Sequence, residues 1–180
     1  MKIEKYNSLE ERQLEKKTFR LHLISQFFNG ISLGILLLQD VILKKSLEAS
    51  NFEVTVLIFM TSIAFLFSIY GAEIINRAAK PGMAVFILGI AGKLFLFLIP
   101  LFNTPVIFIF SIAVMSIIDS LLLPTWNIVY KHNYTPDKRS SLYSYASSLS
   151  TAALLLMATV FGYFLDINHD LYKIFFPVAG

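Results

Sequence analysis

Five stretches of about twenty mostly apolar residues, each bounded by polar or charged segments, limit what this chain can fold into more than any other feature of its sequence. A helix rising 1.5 Å per residue needs roughly twenty residues to cross about 30 Å of hydrocarbon. That ruler marks complete spans near 21–42, 54–75, 82–102, 106–130 and 142–165, and the start of a sixth near residue 174. The third and fourth form one almost unbroken apolar run, which Asn103-Thr104-Pro105 interrupts. Pro105 has no amide hydrogen and biases Thr104 away from helix, so the chain is expected to reverse there. Residues 1–20 read as a polar N-terminal tail and residues 21–180 as a transmembrane helical domain. The fold class is an all-α integral membrane protein, a multi-span helical bundle.

Composition supports lipid as the solvent. Of 180 residues 56% are hydrophobic and 15% charged, with a mean hydropathy of +0.68, whereas a soluble domain carries roughly a quarter charged residues. Seventeen Phe and eight Tyr exceed what an aqueous fold of this length can bury beside so much Leu and Ile. Cysteine is absent, which excludes disulfides, thiolate metal sites and cysteine nucleophiles. The net charge of +3 does not indicate nucleic acid, because the basic residues lie between apolar runs and not on one face beside stacking aromatics.

Their placement sets an expected orientation. Eleven Lys and Arg fall in the N-terminal tail and the loops after the second and fourth spans, against three on the opposite side. The positive-inside rule then puts the N-terminus in the cytoplasm. The tail is too acidic for a transit peptide and the apolar run after it too long for a signal sequence, so the first span is expected to be retained. The stretch from Glu10 to Lys17 reads either as a surface helix along the membrane or as a solvated leader.

Polar groups inside spans are costly and generally face protein or a water-filled cavity. In the first span Gln26 and Asn29 share a helix face, with Gly30 and Gly34 in the G-x-x-x-G spacing that permits close helix approach. In the fourth, Ser116, Asp119, Ser120 and Asn127 keep mostly to one side. Lys93 is eleven residues from Gly82 on an outward-running span, and Asp119 is eleven from Tyr130 on an inward-running one. Each is therefore about 16 Å from the cytoplasmic end, near the midplane. Opposite charges at equal depth on consecutive antiparallel helices fit a structural ion pair, or a coupling role with Asp119 exchanging a proton. A third option is that Lys93 snorkels outward. The fifth span carries small residues four apart, such as Ser144/Ser148 and Ser147/Thr151, a face suited to close packing.

No phosphate-cradling Gly loop, H-E-x-x-H or G-x-S-x-G motif occurs, and His22, His132 and His169 are too scattered for a metal site. The expectation is a protein that is not an enzyme, with no cofactor and no metal.

Two loops and the order of spans carry a family resemblance. Gly71-Ala72-Glu73-Ile74-Ile75-Asn76-Arg77-Ala78-Ala79-Lys80-Pro81 follows the second span, and it resembles a degraded form of the G-x-L-x-D-R-x-G-R loop of the major facilitator superfamily. Asn76 stands at that motif's aspartate, and Arg77 and Lys80 at its basic positions. Pro124-Thr125-Trp126-Asn127 in the fourth span, then a loop from Tyr130 to Arg139 leading into a Ser-rich fifth span, is similar to the family's proline-bearing fourth helix and the arginine opening its fifth. The match to the twelve-helix family covers residues 20–180, five and a half helices of its N-terminal half. The fourth span holds no Arg and the fifth no Gly-Pro pair, which disfavours a drug/proton antiporter.

The resemblance implies a secondary transporter of a small solute working by alternating access. It makes Gln26, Asn29, Asp119, Ser120 and Asn127 the substrate-facing candidates, Lys93 and Asp119 a coupling or ion pair, and Asn76, Arg77, Lys80 and Arg139 a cytoplasmic gating loop. The expected partners are the lipid bilayer, the solute, a coupling proton or ion, and a second transporter half in the same chain or another. The expected location is the plasma membrane, with short loops suited to a bacterial inner membrane. The rival readings are a non-transporting multi-span scaffold or partner subunit, and a membrane-embedded enzyme, which would need its polar residues near one interface and not at the midplane.

Overall fold

The computed structural model describes the backbone of residues 2–180, and the side chains of residues 12–180 other than those of Asn76 and Pro81. Every regular element among these residues is helical. The first span is α1 (Lys2–Leu36) followed, after a two-residue turn, by α2 (Gln39–Lys45); the second is α3 (Asn51–Ala64) and α4 (Ser68–Asn76), joined by a 3-10 turn. The third is α5 (Pro81–Leu94), the fourth α6 (Pro105–Asn133) and the fifth α7 (Pro136–Ile167), with α8 (Tyr172–Ala179) after them.

Local chemistry explains the boundaries. Ser50 caps α3 in a reciprocal box with Glu53, each side chain satisfying the other residue's backbone amide. Pro opens α5, α6 and α7, where its missing amide costs nothing and its fixed φ suits the first turn. Thr104 is extended, with φ −129° and ψ 140°, so the chain reverses at Asn103-Thr104-Pro105.

Four helical runs are long and apolar enough to cross a membrane: Arg12–Lys45, Asn51–Ile75, Pro105–Asn133 and Pro136–Ile167. With apolar side chains such as Phe52, Ile69 and Leu156 turned outward, they point to a membrane location. The segment expected at 82–102 is shorter, an apolar helix over Gly82–Leu98. Its last turn tightens to 3-10 at Phe95–Leu98, just before Pro100, which cannot donate to continue an α-helix. The N-terminal tail also departs from a separate leader, since α1 runs without interruption through residue 20 into the first span, and Glu15 and Thr18 are buried.

The longest packing contact joins α1 to α7, and α3 and α4 lie along α6. α5 packs on α6, α8 on α1, and α8 also meets the Phe95–Leu98 turn. This pairing has an internal regularity. Replacing each span by the one three places along turns first-with-fifth into fourth-with-second, and third-with-fourth into sixth-with-first, while third-with-sixth maps onto itself. The apolar core, with Ile35, Leu57, Leu96, Phe108, Phe161 and Phe176 fully enclosed, lies at the end of the bundle away from the N-terminal tail.

Glycine sets the closest approaches. A Cβ on Gly34 would lie 2.6 Å from the Leu154 carbonyl oxygen and 2.8 Å from Met157 Cβ, while one on Gly30 would collide with the Ser150 carbonyl. Gly71 bears on the Leu121 carbonyl of α6 in the same way. A Cβ on Gly82 would meet nothing within 4 Å. Gly30→Ala and Gly71→Ala should therefore lower the unfolding temperature in detergent, at a cost of about 1–3 kcal/mol for forcing backbones apart. Gly82→Ala should leave it unchanged or raise it, and thermal melts of the three variants check the contrast.

Candidate functional site

α1 turns a strip of Ser25, Gln26, Asn29, Leu33 and Leu36 toward a cavity of about 700 Å³. These positions recur at helical spacing about a quarter turn from the Gly30–Gly34 face that meets α7, so one helix serves both surfaces. α6 contributes Ser116, Asp119, Ser120 and Asn127 to the opposite wall, and α5 contributes Lys93. All five substrate-facing candidates and both members of the charged pair thus line one space. Ser120 is largely buried there, whereas Asn29 and Asn127 are exposed.

Lys93 Nζ donates to Asp119 Oδ2 at 3.3 Å and lies 4.0 Å from Met115 Sδ. The pair is not sealed off, since 26% of the Lys93 side chain and 42% of that of Asp119 remain accessible. Among the described residues they are the only two charged ones on the cavity wall, so that wall is neutral overall. Pro124 within α6 has no amide hydrogen to donate to the Ser120 carbonyl at this level.

Three aromatic wall residues, Trp126, Tyr130 and Tyr143, were not singled out from sequence. Trp126 and Tyr130 follow Asp119 at seven and eleven residues, on the same helical face, so the spacing was available as a signal. Tyr130 stacks on His22 with ring centroids 3.8 Å apart, and Tyr143 lies 5.7 Å from the same imidazole. His22 is buried and its Nδ1 is 2.8 Å from the Tyr134 hydroxyl. This cluster forms the floor of the cavity at the end that bears the N-terminal tail. Burial pushes the Tyr134 phenol up to about 12, so it stays protonated across neutral pH.

One and a half turns ahead of the apolar stretch that opens at Leu21, Glu15 fastens the same end. Its Oε2 accepts from the Thr135 backbone amide at 3.0 Å and the Thr135 hydroxyl at 2.7 Å, and Lys138 Nζ is 3.5 Å from Oε1. A carboxylate from α1 therefore caps the N-terminus of α7, where the helix dipole favours negative charge.

Among the described residues the gating-loop candidates make local contacts. Arg77 pairs with Glu73 one turn back in its own helix, and Lys80 precedes α5 as its N-cap residue. Arg139 donates to the carbonyls of Lys131 at 2.8 Å and Tyr134 at 3.4 Å, closing the end of α6. The Asn76 side chain lies outside the described residues. Among the described residues no three His, Asp or Glu side chains are grouped as a metal ion would need.

The Thr135 hydrogen bonds hold the Glu15 carboxyl below its ordinary range, aided by Lys138 and opposed by burial. A depressed folded-state value stabilises the fold above the ordinary glutamate range, and that contribution disappears as pH falls through the folded value. Glu15→Gln should lower the unfolding temperature at neutral pH. Its gap from the unsubstituted protein should close as pH drops below the ordinary carboxylate range; a gap that does not depend on pH would refute the charged cap.

No family model matches the chain, and no curated protein or solved structure matches it.

Proposed function

We propose that the chain supplies five spans and the start of a sixth from the N-terminal half of a secondary transporter of the major facilitator type, moving a small solute across the plasma membrane by alternating access. The carrying observation is the cavity of about 700 Å³, lined by polar and apolar side chains and neutral overall, with an accessible Lys93–Asp119 pair near mid-depth. Its volume falls within the roughly 300–1,000 Å³ usual for small-molecule sites. A scaffold has no need of such a space, since an ion pair that served packing alone would be enclosed.

Two further features support the reading. The helix pairing that maps onto itself under a three-span shift is what an inverted repeat of three helices produces, an architecture in which solute sites lie at the midplane between repeats. Exposed polar side chains within the spans, Asn29 and Asn127 among them, belong against a second half and not against lipid. In this reading the basic end is cytoplasmic, with Glu15 and the His22 cluster closing it.

The test uses the naturally cysteine-free chain in membranes. Single cysteines at Asn29 and Asp119 should react with a small polar thiol reagent, and one at the outward-turned Ile69 should not. Cysteines at Ser25 and Gln39, which line opposite ends of the cavity, should be labelled from opposite sides of the membrane. Uniform protection of the four cavity positions would leave a packed scaffold as the better account.

A further inference from the structure

Resting on the reading of this cavity as a solute site, we infer that its solute is a zwitterion with ammonium and carboxylate on one carbon, an α-amino acid, held head to tail between Asp119 and Lys93. An ammonium group has three hydrogens to donate. Lys93 uses one on Asp119 at 3.3 Å and has only a distant thioether as another neighbour. Asp119 accepts through Oδ2, and its Oδ1 makes no hydrogen bond. Both groups thus keep strong hydrogen-bonding capacity directed at an open space, and among the described residues no other side chain takes it up.

Charge decides between solute classes. A lone cation near Asp119 meets Lys93 a hydrogen bond away, and a lone anion near Lys93 meets Asp119, so attraction and repulsion largely cancel for either. A zwitterion satisfies both: its carboxylate accepts from Lys93, its ammonium donates to Asp119, and a charge-assisted bond forms at each end. The wall stays neutral whether the site is empty or filled. The four methylenes of Lys93 let its ammonium swing aside as the solute enters, and the protein charges trade each other for the solute's. Asn29 and Gln26, on the same cavity wall, offer amide donors and acceptors for the remaining lone pairs and hydrogens. Phe65, Leu123 and Trp126 line the same space and offer an apolar and aromatic surface to the solute's side chain.

Trp126 is the only tryptophan and lines the cavity, so its emission reports occupancy without any transport assay. The purified chain in detergent is titrated with glycine, leucine, glutamine and lysine, then with leucinamide, which lacks the carboxylate, 4-methylpentanoate, which lacks the ammonium, and glucose. At least one amino acid should give a saturable change, with its single-charge analogues weaker by about tenfold or more. Lys93→Gln and Asp119→Asn, checked for helicity by circular dichroism, should abolish the preference for the zwitterion. Equal or tighter binding of glucose or of one analogue would overturn the amino-acid assignment and leave the solute cavity standing. Silence from every amino acid would overturn it as well. In both cases the transporter reading is judged separately by cysteine accessibility, which requires no solute.

Discussion

The contact of α1 with α7 organises this bundle, because at Gly30 and Gly34 no side chain separates the two backbones. Lipid tails are as apolar as leucine, so span association gains little from the hydrophobic effect and depends on close packing and hydrogen bonds. Glycine opposite Ser150 and Leu154 gives that packing, and it fixes the rotation of α1 about its axis. With the glycine face committed to α7, the strip bearing Gln26 and Asn29 can only turn a quarter turn away, into the cavity. The polar wall is a consequence of where the small residues lie.

The two ends of the bundle are held by different chemistry. Away from the tail, aliphatic and aromatic side chains fill the interior, Tyr172 and Phe176 of the α8 region against Phe108. At the tail end the fastening is polar: Glu15 on the start of α7, His22 on Tyr134, and Arg139 on the last carbonyls of α6. Enclosed apolar packing resists opening because each separated pair loses contact area, whereas hydrogen bonds at a watery end can be exchanged for bonds to solvent at small net cost. The tail end is accordingly the more easily parted, and the aromatic floor of the cavity belongs to it.

Much of the architecture was legible because it follows from period and length. Apolar runs of the right length gave four of the five complete spans, and Asn103-Thr104-Pro105 gave the reversal. The equal depths of Lys93 and Asp119 followed from counting residues along two antiparallel helices, and the structure sets them in hydrogen-bond contact. Depth does not fix azimuth, so counting alone left open whether Lys93 would turn to its partner or to lipid. The shortening of the third span comes from Pro100, which lies inside an apolar run that hydropathy alone does not divide. The Glu15–Thr135 and His22–Tyr134 contacts join residues more than a hundred positions apart. No local pattern carries that information, since it depends on which helices become neighbours. The tail looked separate because its charge was read as solvation, when one of its carboxylates is the cap of another helix.

The cavity wall poses its own physical question, why two charges are kept at a depth where each is expensive. Replacing a buried ion pair with apolar residues of similar volume is often neutral or stabilising, so Lys93 and Asp119 are poor choices if stability is their only purpose. Enclosure would at least maximise their mutual attraction, yet both remain partly accessible and the carboxylate keeps an oxygen free. Geometry this incomplete is a weak way to pack a bundle and an effective way to present two opposite charges to a third party. The Ser120 carbonyl, to which Pro124 has no amide hydrogen to donate, follows the same logic. What these groups share is hydrogen-bonding capacity that the helices themselves leave unused, at the level of the cavity.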